Sequence, residues 1–377
     1  MITIIALAAF LMEKSLTWEW EWIKTPLDLP ILCLLLLCLL STAYSMNRRI
    51  SLSSILLLFN YLTIFYLTIH TFNTRRRLRG LIYLIIGIAV FLSIFGLFKK
   101  FGMNPFPWWD YGDIRYHPLA LSSTYGNQNH LAGYMEMVLP LVLGLLLFGY
   151  NTGKLFILAY FSLLILVALI LSLSRGGWIG ILLGLSFMAV MLLSSSYFKR
   201  KKLLISAIVG AVFLALIVLA STPVVEEFRT LAEKDQTPSI YGRTKIWGGV
   251  LDMIEDYPVI GSGPGTFSTI FTRYQPPGMS ARFFMAHNDY LQFVSETGLI
   301  LIPIIMWVIV ALYRNGFKKL RNPSRLVQGT TLGAMTGITA MLVHSIVDFN
   351  LHIPANTILF TVLAAIVVAP RPESDES

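Results

Sequence analysis

The chain has 377 residues, a mean hydropathy of +0.70, 56% hydrophobic residues and only 13% charged ones, a balance that no soluble core needs and that repeated bilayer spans do. Its formal charge of +9 does not point to nucleic acid, because the basic residues gather in short segments between apolar runs, where the positive-inside rule puts them. Cys33 and Cys38 share one apolar run, which supports neither a disulfide nor a metal site.

From the start of the chain, Met1 to Met12 carries no basic n-region and is too short to cross a hydrocarbon core of about 30 Å. A shortened or atypical first span is expected there. Apolar runs of roughly 17 to 22 residues then predict spans near Leu29–Met46, Ile50–Ile69, Leu81–Phe98, Leu131–Tyr150, Lys154–Leu173, Gly177–Tyr197, Leu203–Ala220, Thr297–Tyr313, Val327–His344 and Pro354–Val368. The expected fold class is all-α: a polytopic integral membrane protein of about ten to twelve transmembrane helices, with residues 1–377 forming a single membrane domain.

Orientation follows from the basic loops. Arg75, Arg76, Arg77 and Arg79, then Lys154, then Lys199, Arg200, Lys201 and Lys202, then Arg314, Lys318, Lys319, Arg321 and Arg325 all fit the cytoplasmic side. Alternating the spans places Lys99–His130, Ser174–Gly176, Ser221–Glu296 and Ile346–Ile353 outside, with the pair Arg48 and Arg49 as the one clear violation. The expected location is therefore the cytoplasmic (inner) membrane, multi-pass.

The long outer segment Ser221–Glu296 is too polar to span. Within it Ile246, Val250, Met253, Ile254 and Tyr257 recur at helical spacing, which predicts an amphipathic helix suited to a membrane surface. Pro258 and the run Gly261-Ser262-Gly263-Pro264-Gly265 would end it and force a turn. That run lacks the Gly-Lys-Ser/Thr ending of a phosphate-binding loop and reads as a turn only.

Several outer residues could carry chemistry. Arg175, set apart outside while the strong basic clusters lie inside and followed by Gly176-Gly177, is read as functional in preference to a snorkelling interfacial arginine. Arg243 precedes Trp247 by one helical turn, so a guanidinium that can meet a phosphate bidentately shares a face with an aromatic platform. On its own it would be an ordinary surface arginine. His287 opens the run His287-Asn288-Asp289-Tyr290-Leu291, where the outer loop returns to the membrane, and its imidazole can accept a proton near neutral pH. If a helix begins at His287, then Leu291, Val294 and Gly298 lie on its face. Two outer arginines and a histidine would together make an anion site with a general base.

Other features carry less. Trp108, Trp109, Tyr111 and Tyr116 could stack on sugar rings, but an interfacial aromatic belt accounts for them better. Asp110 and Asp113 make too poor a cage for a metal, and no essential metal is expected. His344, Asp348 and His352 gather near the last outer turn, where mutual pairing is at least as good a reading as function.

The ordered set Ser174-Arg175-Gly176-Gly177-Trp178, Gly242-Arg243-Thr244-Lys245-Ile246-Trp247 and His287-Asn288-Asp289-Tyr290-Leu291 through Gly298 resembles the O-antigen ligase and polymerase superfamily. The resemblance runs from about Asn127-Gln128-Asn129-His130-Leu131-Ala132-Gly133 to His344-Ser345-Ile346-Val347-Asp348-Phe349. It departs at the N-terminus, where members have fuller spans before Leu29–Met46. It implies a GT-C-like helical membrane fold with an outer-face cavity, an undecaprenyl-diphosphate-linked glycan as donor, and a glycan, lipid or protein acceptor. On that resemblance Arg175 and Arg243 hold and neutralise the diphosphate, while His287 orients or deprotonates the acceptor hydroxyl. Trp247 and Asn288 help to bind substrate. Inversion in a single displacement is implied, with no metal, ATP or other cofactor. Ligase and polymerase both fit these residues. A transporter fits less well, since the apolar spans are mostly uninterrupted and the polar groups gather outside.

Overall fold

The computed structural model describes residues 2–18, 21–106, 108, 120–148, 152–194, 210, 240–278 and 282–372. Regular structure among the described residues is helical throughout. In chain order the helices are α1 (Ile2–Thr17), α2 (Asp28–Ala43), α3 (Arg48–Thr71), α4 (Arg75–Lys100), α5 (Gln128–Phe148), α6 (Thr152–Leu171), α7 (Arg175–Ser194), α8 (Ile240–Asp256), the one-turn α9 (Phe267–Ile270), α10 (Asp289–Thr297), α11 (Leu301–Lys319), α12 (Arg325–His344) and α13 (Pro354–Val368), with 3₁₀ turns at Phe271–Arg273 and Asn350–His352.

Seven of the described helices are long and apolar enough to cross a membrane: α3, α4, α5, α6, α7, α11 and α12. Helices α2 and α13 are apolar but have 16 and 15 residues, about 22–24 Å of helix against a core of about 30 Å. Helix α1, also 16 residues and with none of them buried, has the shortened length expected of it. The expected span Leu203–Ala220, Gly210 excepted, and the basic cluster Lys199–Lys202 lie outside the described residues. So do Trp109, Asp110, Tyr111, Asp113, Tyr116 and the first part of the outer segment, up to Ser239. Trp108 is exposed.

The chain divides into two compact units, the first of Met1–Leu81, Ile240–Asn322 and Ser345–Ser377, the second of Ile82–Ser239 and Pro323–His344. In the first, α3 packs on α13, α2 on α11 and α8 on α10. The apolar stripe of α8 is filled by protein: Ile246, Val250 and Met253 are fully buried against Phe267, Ile270, Phe271 and Ala286, with Leu291 and Val294 of α10 alongside. The stripe that suggested a membrane surface thus closes a small core of its own. The turn at 261–265 is knitted to the end of α10, since Ser262 N–H donates to Ser295 O at 3.1 Å and Gly263 N–H to Glu296 O at 2.9 Å. Gly263 stands at φ +115°, where a Cβ would meet Ser45 Oγ at 2.0 Å, so only glycine lets the turn rest on the α2–α3 corner. Gly298, at φ +82°, ends α10 and delays α11 to Leu301, later than the apolar run beginning at Thr297 suggested.

In the second unit α5 is buried along most of its length between α12 and α6, with α7 also touching it. Gly329, Gly333 and Gly337 recur every four residues on α12, giving a face without side chains. A Cβ on Gly333 would lie 2.6 Å from Pro140 O, and one on Gly337 2.5 Å from Met137 O, the close backbone approach that small residues permit between membrane helices. Inside this packing sits a pair the sequence did not announce: Glu136, fully buried, with Oε1 3.0 Å from His344 Nδ1.

Candidate functional site

The first unit builds its polar cluster from α8, the loop before α10 and the segment after α12. Arg243 and Trp247 stand one turn apart on α8, as the spacing predicted. Trp247 Nε1 donates to Ala286 O at 3.0 Å, and Ala286 N–H donates to Gln292 Oε1 at 2.9 Å. Both contacts pin the backbone next to His287. Trp247 is therefore a strut for the histidine loop as well as an aromatic surface.

His287 does not begin a helix. It has φ +51°, a left-handed conformation rare for a residue with a side chain, and α10 starts at Asp289 with Asn288 as its cap. Asn288 Oδ1 accepts the Leu291 N–H at 3.0 Å, so this expected substrate ligand spends its oxygen on the helix end. The His287 ring meets Phe349 edge-on, with centroids 4.9 Å apart.

Arg243 and His287 converge on one carboxylate. Arg243 Nη1 donates to Val347 O at 2.6 Å, and its Nη2 lies 4.0 Å from Asp348 Oδ2. His287 Nδ1 lies 3.6 Å from Asp348 Oδ1, too long for a hydrogen bond but close enough for the carboxylate to attract the ring once it carries a proton. Asp348 is buried, whereas the Arg243 and His287 side chains keep 21% and 24% exposure. Arg243 Nε is buried without a hydrogen-bond partner among the described residues.

Asp289 keys the segment carrying Asp348 to α10. Its backbone N–H donates to Ser345 O at 2.9 Å and to Asp348 O at 3.2 Å. Its fully buried carboxylate accepts the Leu351 N–H at 2.9 Å through Oδ2 and meets His352 Nδ1 at 2.5 Å through Oδ1. Burial alone would push the His352 imidazole down, but the Asp289 hydrogen bond and charge, with the Glu296 charge, carry it above its ordinary value. Burial raises Glu296, partly offset by the charge of His352 and by the N–H groups of Gly265 and Phe267. The Tyr290 hydroxyl is pushed up to about 12, by burial first and then by the neighbouring Asp289 charge.

Arg175 belongs to the second unit. It opens α7, partly buried, just after a corner in which Leu173 has φ +54°. Ser174 Oγ accepts the Gly177 N–H at 3.3 Å, and Trp178 Nε1 donates back to Leu169 O at 3.2 Å, so the corner is rigidly built. Of the three residues gathered at the last outer turn, His344 pairs with Glu136 in the second unit, while Asp348 and His352 enter the first unit's cluster. The sequence reading placed Asp348 at the last outer turn, with pairing at least as good a reading as function, and gave Asp289 no role. The clue to Asp348 was an acid beside the end of an apolar span. Asp289 offered none beyond following His287 by two positions.

The cluster can grip an anion with the guanidinium of Arg243 and take up a proton at His287, with Asp348 supporting the charge that the ring acquires. A comparison with curated proteins finds no match to the chain. Residues 160–306, which contain Arg175, Arg243, Trp247, His287 and Asn288, match the family model described as O-Antigen ligase. That stretch is thus similar to the O-antigen ligase family, which supports a likeness to the O-antigen ligase and polymerase superfamily.

Proposed function

We propose that the protein transfers a glycan from undecaprenyl diphosphate to an acceptor hydroxyl at the outer face of the cytoplasmic membrane. The observation that carries this reading is the convergence of Arg243 and His287 on Asp348, within a cluster keyed by Asp289 and next to helices of membrane-spanning length. Arg243 neutralises charge that grows on the departing diphosphate, so its attraction strengthens in the transition state. Arg175 is carried as a second diphosphate-binding arginine on its residue type and motif alone. His287 takes the acceptor proton. With Nδ1 turned to Asp348, its other nitrogen is left to meet the hydroxyl, and the carboxylate stabilises the imidazolium as it forms. The acceptor oxygen attacks the anomeric carbon, the bond to the diphosphate breaks, and the product is inverted.

The test is reconstitution in proteoliposomes with undecaprenyl-diphosphate-linked glycan and candidate acceptors. A new glycosidic bond together with free undecaprenyl diphosphate supports the proposal. One transfer per acceptor marks a ligase, and a ladder of lengths marks a polymerase. Movement of the donor across the bilayer without a new bond would overturn it in favour of transport.

A further inference from the structure

We infer that Asp289 and His352 form a positioning pair that holds residues 345–352, and with them Asp348, in the arrangement Arg243 and His287 require, and that the pair holds best while His352 is protonated. The activity part of this inference rests on the transferase reading above. The stability part does not.

The geometry is that of a fastening. The Asp289 carboxylate reaches the far end of the segment through Leu351 N–H and His352 Nδ1. The Asp289 backbone N–H reaches its near end through the carbonyls of Ser345 and Asp348. One residue therefore holds both ends of the stretch that presents Val347 O to Arg243 and the Asp348 carboxylate to His287. It is also the first residue of α10, two positions from His287, so the histidine loop and the segment facing it share one anchor.

Charge explains why protonation matters. Asp289 is fully buried, and among the described ion pairs its partner is His352. The groups facing the His352 ring come from α10: Asp289, Glu296, and Phe293, stacked on it with centroids 4.5 Å apart. A neutral imidazole could still donate one hydrogen bond to Asp289, but it would no longer answer the carboxylate's charge, and charge-assisted bonds are about twice as strong as neutral ones. His352 Nε2 is buried without a hydrogen-bond partner, which opposes protonation. The two carboxylates outweigh it, because the net displacement is upward.

The sign follows by linkage. His352 is raised in the folded protein, so its stabilisation is complete below the ordinary value of 6.5 and is lost as pH rises through the folded value. Glu296 is raised as well, so its contribution also fades from its ordinary value of 4.5 upward, and the comparison with His352→Gln separates the two groups.

The experiment compares the full-length wild type with His352→Gln and Asp289→Asn in nanodiscs, recording thermal unfolding from about pH 5.5 to 9, the range of imidazole titration, and glycan transfer over the same range. The wild-type Tm is expected to fall as pH rises above 6.5, and this fall should vanish in both variants. Glutamine can still donate to Asp289, so His352→Gln keeps a neutral fastening and decides the matter alone should Asp289→Asn fail to fold. Transfer by His352→Gln should drop about ten- to a hundredfold, the scale of a displaced reacting group, and lose the wild-type alkaline decline that tracks His352. A wild-type Tm flat above pH 6.5, or a fall that persists in His352→Gln, overturns the pair. A normal Tm response with transfer by His352→Gln equal to wild type at every pH makes the pair structural and overturns the positioning role. Should wild type show no transfer at all, the functional proposal fails, while the Tm series still judges the fastening.

Discussion

Each unit buries a histidine–carboxylate pair, and the two are set in opposite surroundings. Glu136 and His344, 208 positions apart, lie where α5, α7 and α12 approach so closely that a Cβ at Gly180 would stand 2.7 Å from Glu136 Oε2. Asp289 and His352 lie where backbone carbonyls and N–H groups of a loop are gathered beside partly exposed Arg243 and His287. The first pair is held by packing, and the second holds a segment. The same chemistry thus serves helix association in one place and the placement of reactive groups in another, and what surrounds the pair decides which.

The largest stability effect is expected from breaking the packed pair. His344→Ala removes the 3.0 Å contact of His344 Nδ1 with the fully buried Glu136 Oε1 and should cost about 3–5 kcal/mol, whereas Glu136→Leu combined with His344→Leu should recover most of the loss. Unfolding in detergent, read by intrinsic fluorescence, separates the two. A double variant as unstable as His344→Ala would deny that the broken pairing is the cause. Next comes the glycine face: Gly333→Leu drives a side chain into the Pro140 carbonyl and should cost about 1–3 kcal/mol or more, with no change in the pH profile of transfer.

Smaller effects are expected in the first unit, where function should suffer more than stability. Asn288→Ala removes the cap of α10 and should cost about 0.5–2 kcal/mol, while Asn288→Asp should retain the cap. Trp247→Phe keeps the ring but loses the hydrogen bond to Ala286 O, worth about 0.5–1.5 kcal/mol. Its transfer rate should fall by more than this loss of stability explains, because the histidine loop is freed. A Trp247→Phe protein with unaltered transfer would reduce Trp247 to packing.

Much of the fold was legible because span length and apolar runs report membrane helices directly. The bounds of α3 and α12 lie within two residues of the predicted runs. Less legible were features that depend on what an element meets. The stripe on α8 was read correctly as helical, but only the structure shows that Phe267, Ile270 and Phe271 cover it. Arg243 and His287 could be nominated by residue type and by outer placement. Their joint partner, Asp348, arrives from a segment 61 positions beyond His287 (348 − 287), and no local pattern encodes such a meeting. Asn288 illustrates the converse, since a residue type suited to binding sugars is equally suited to capping a helix.

The central claim is that Arg243 and His287 act as a unit on a lipid-linked diphosphate, and single-turnover transfer in proteoliposomes tests it most directly. Wild type, His287→Ala, Arg243→Ala and the double variant should be compared at matched folded protein. His287→Ala is predicted to lose about 10²–10⁴ in rate. Arg243→Ala should lose a comparable factor, and the double variant little more than the worse single one, because groups that serve one transition state do not contribute additively. Wild-type rates in folded His287→Ala, or losses that simply multiply in the double variant, would contradict the account.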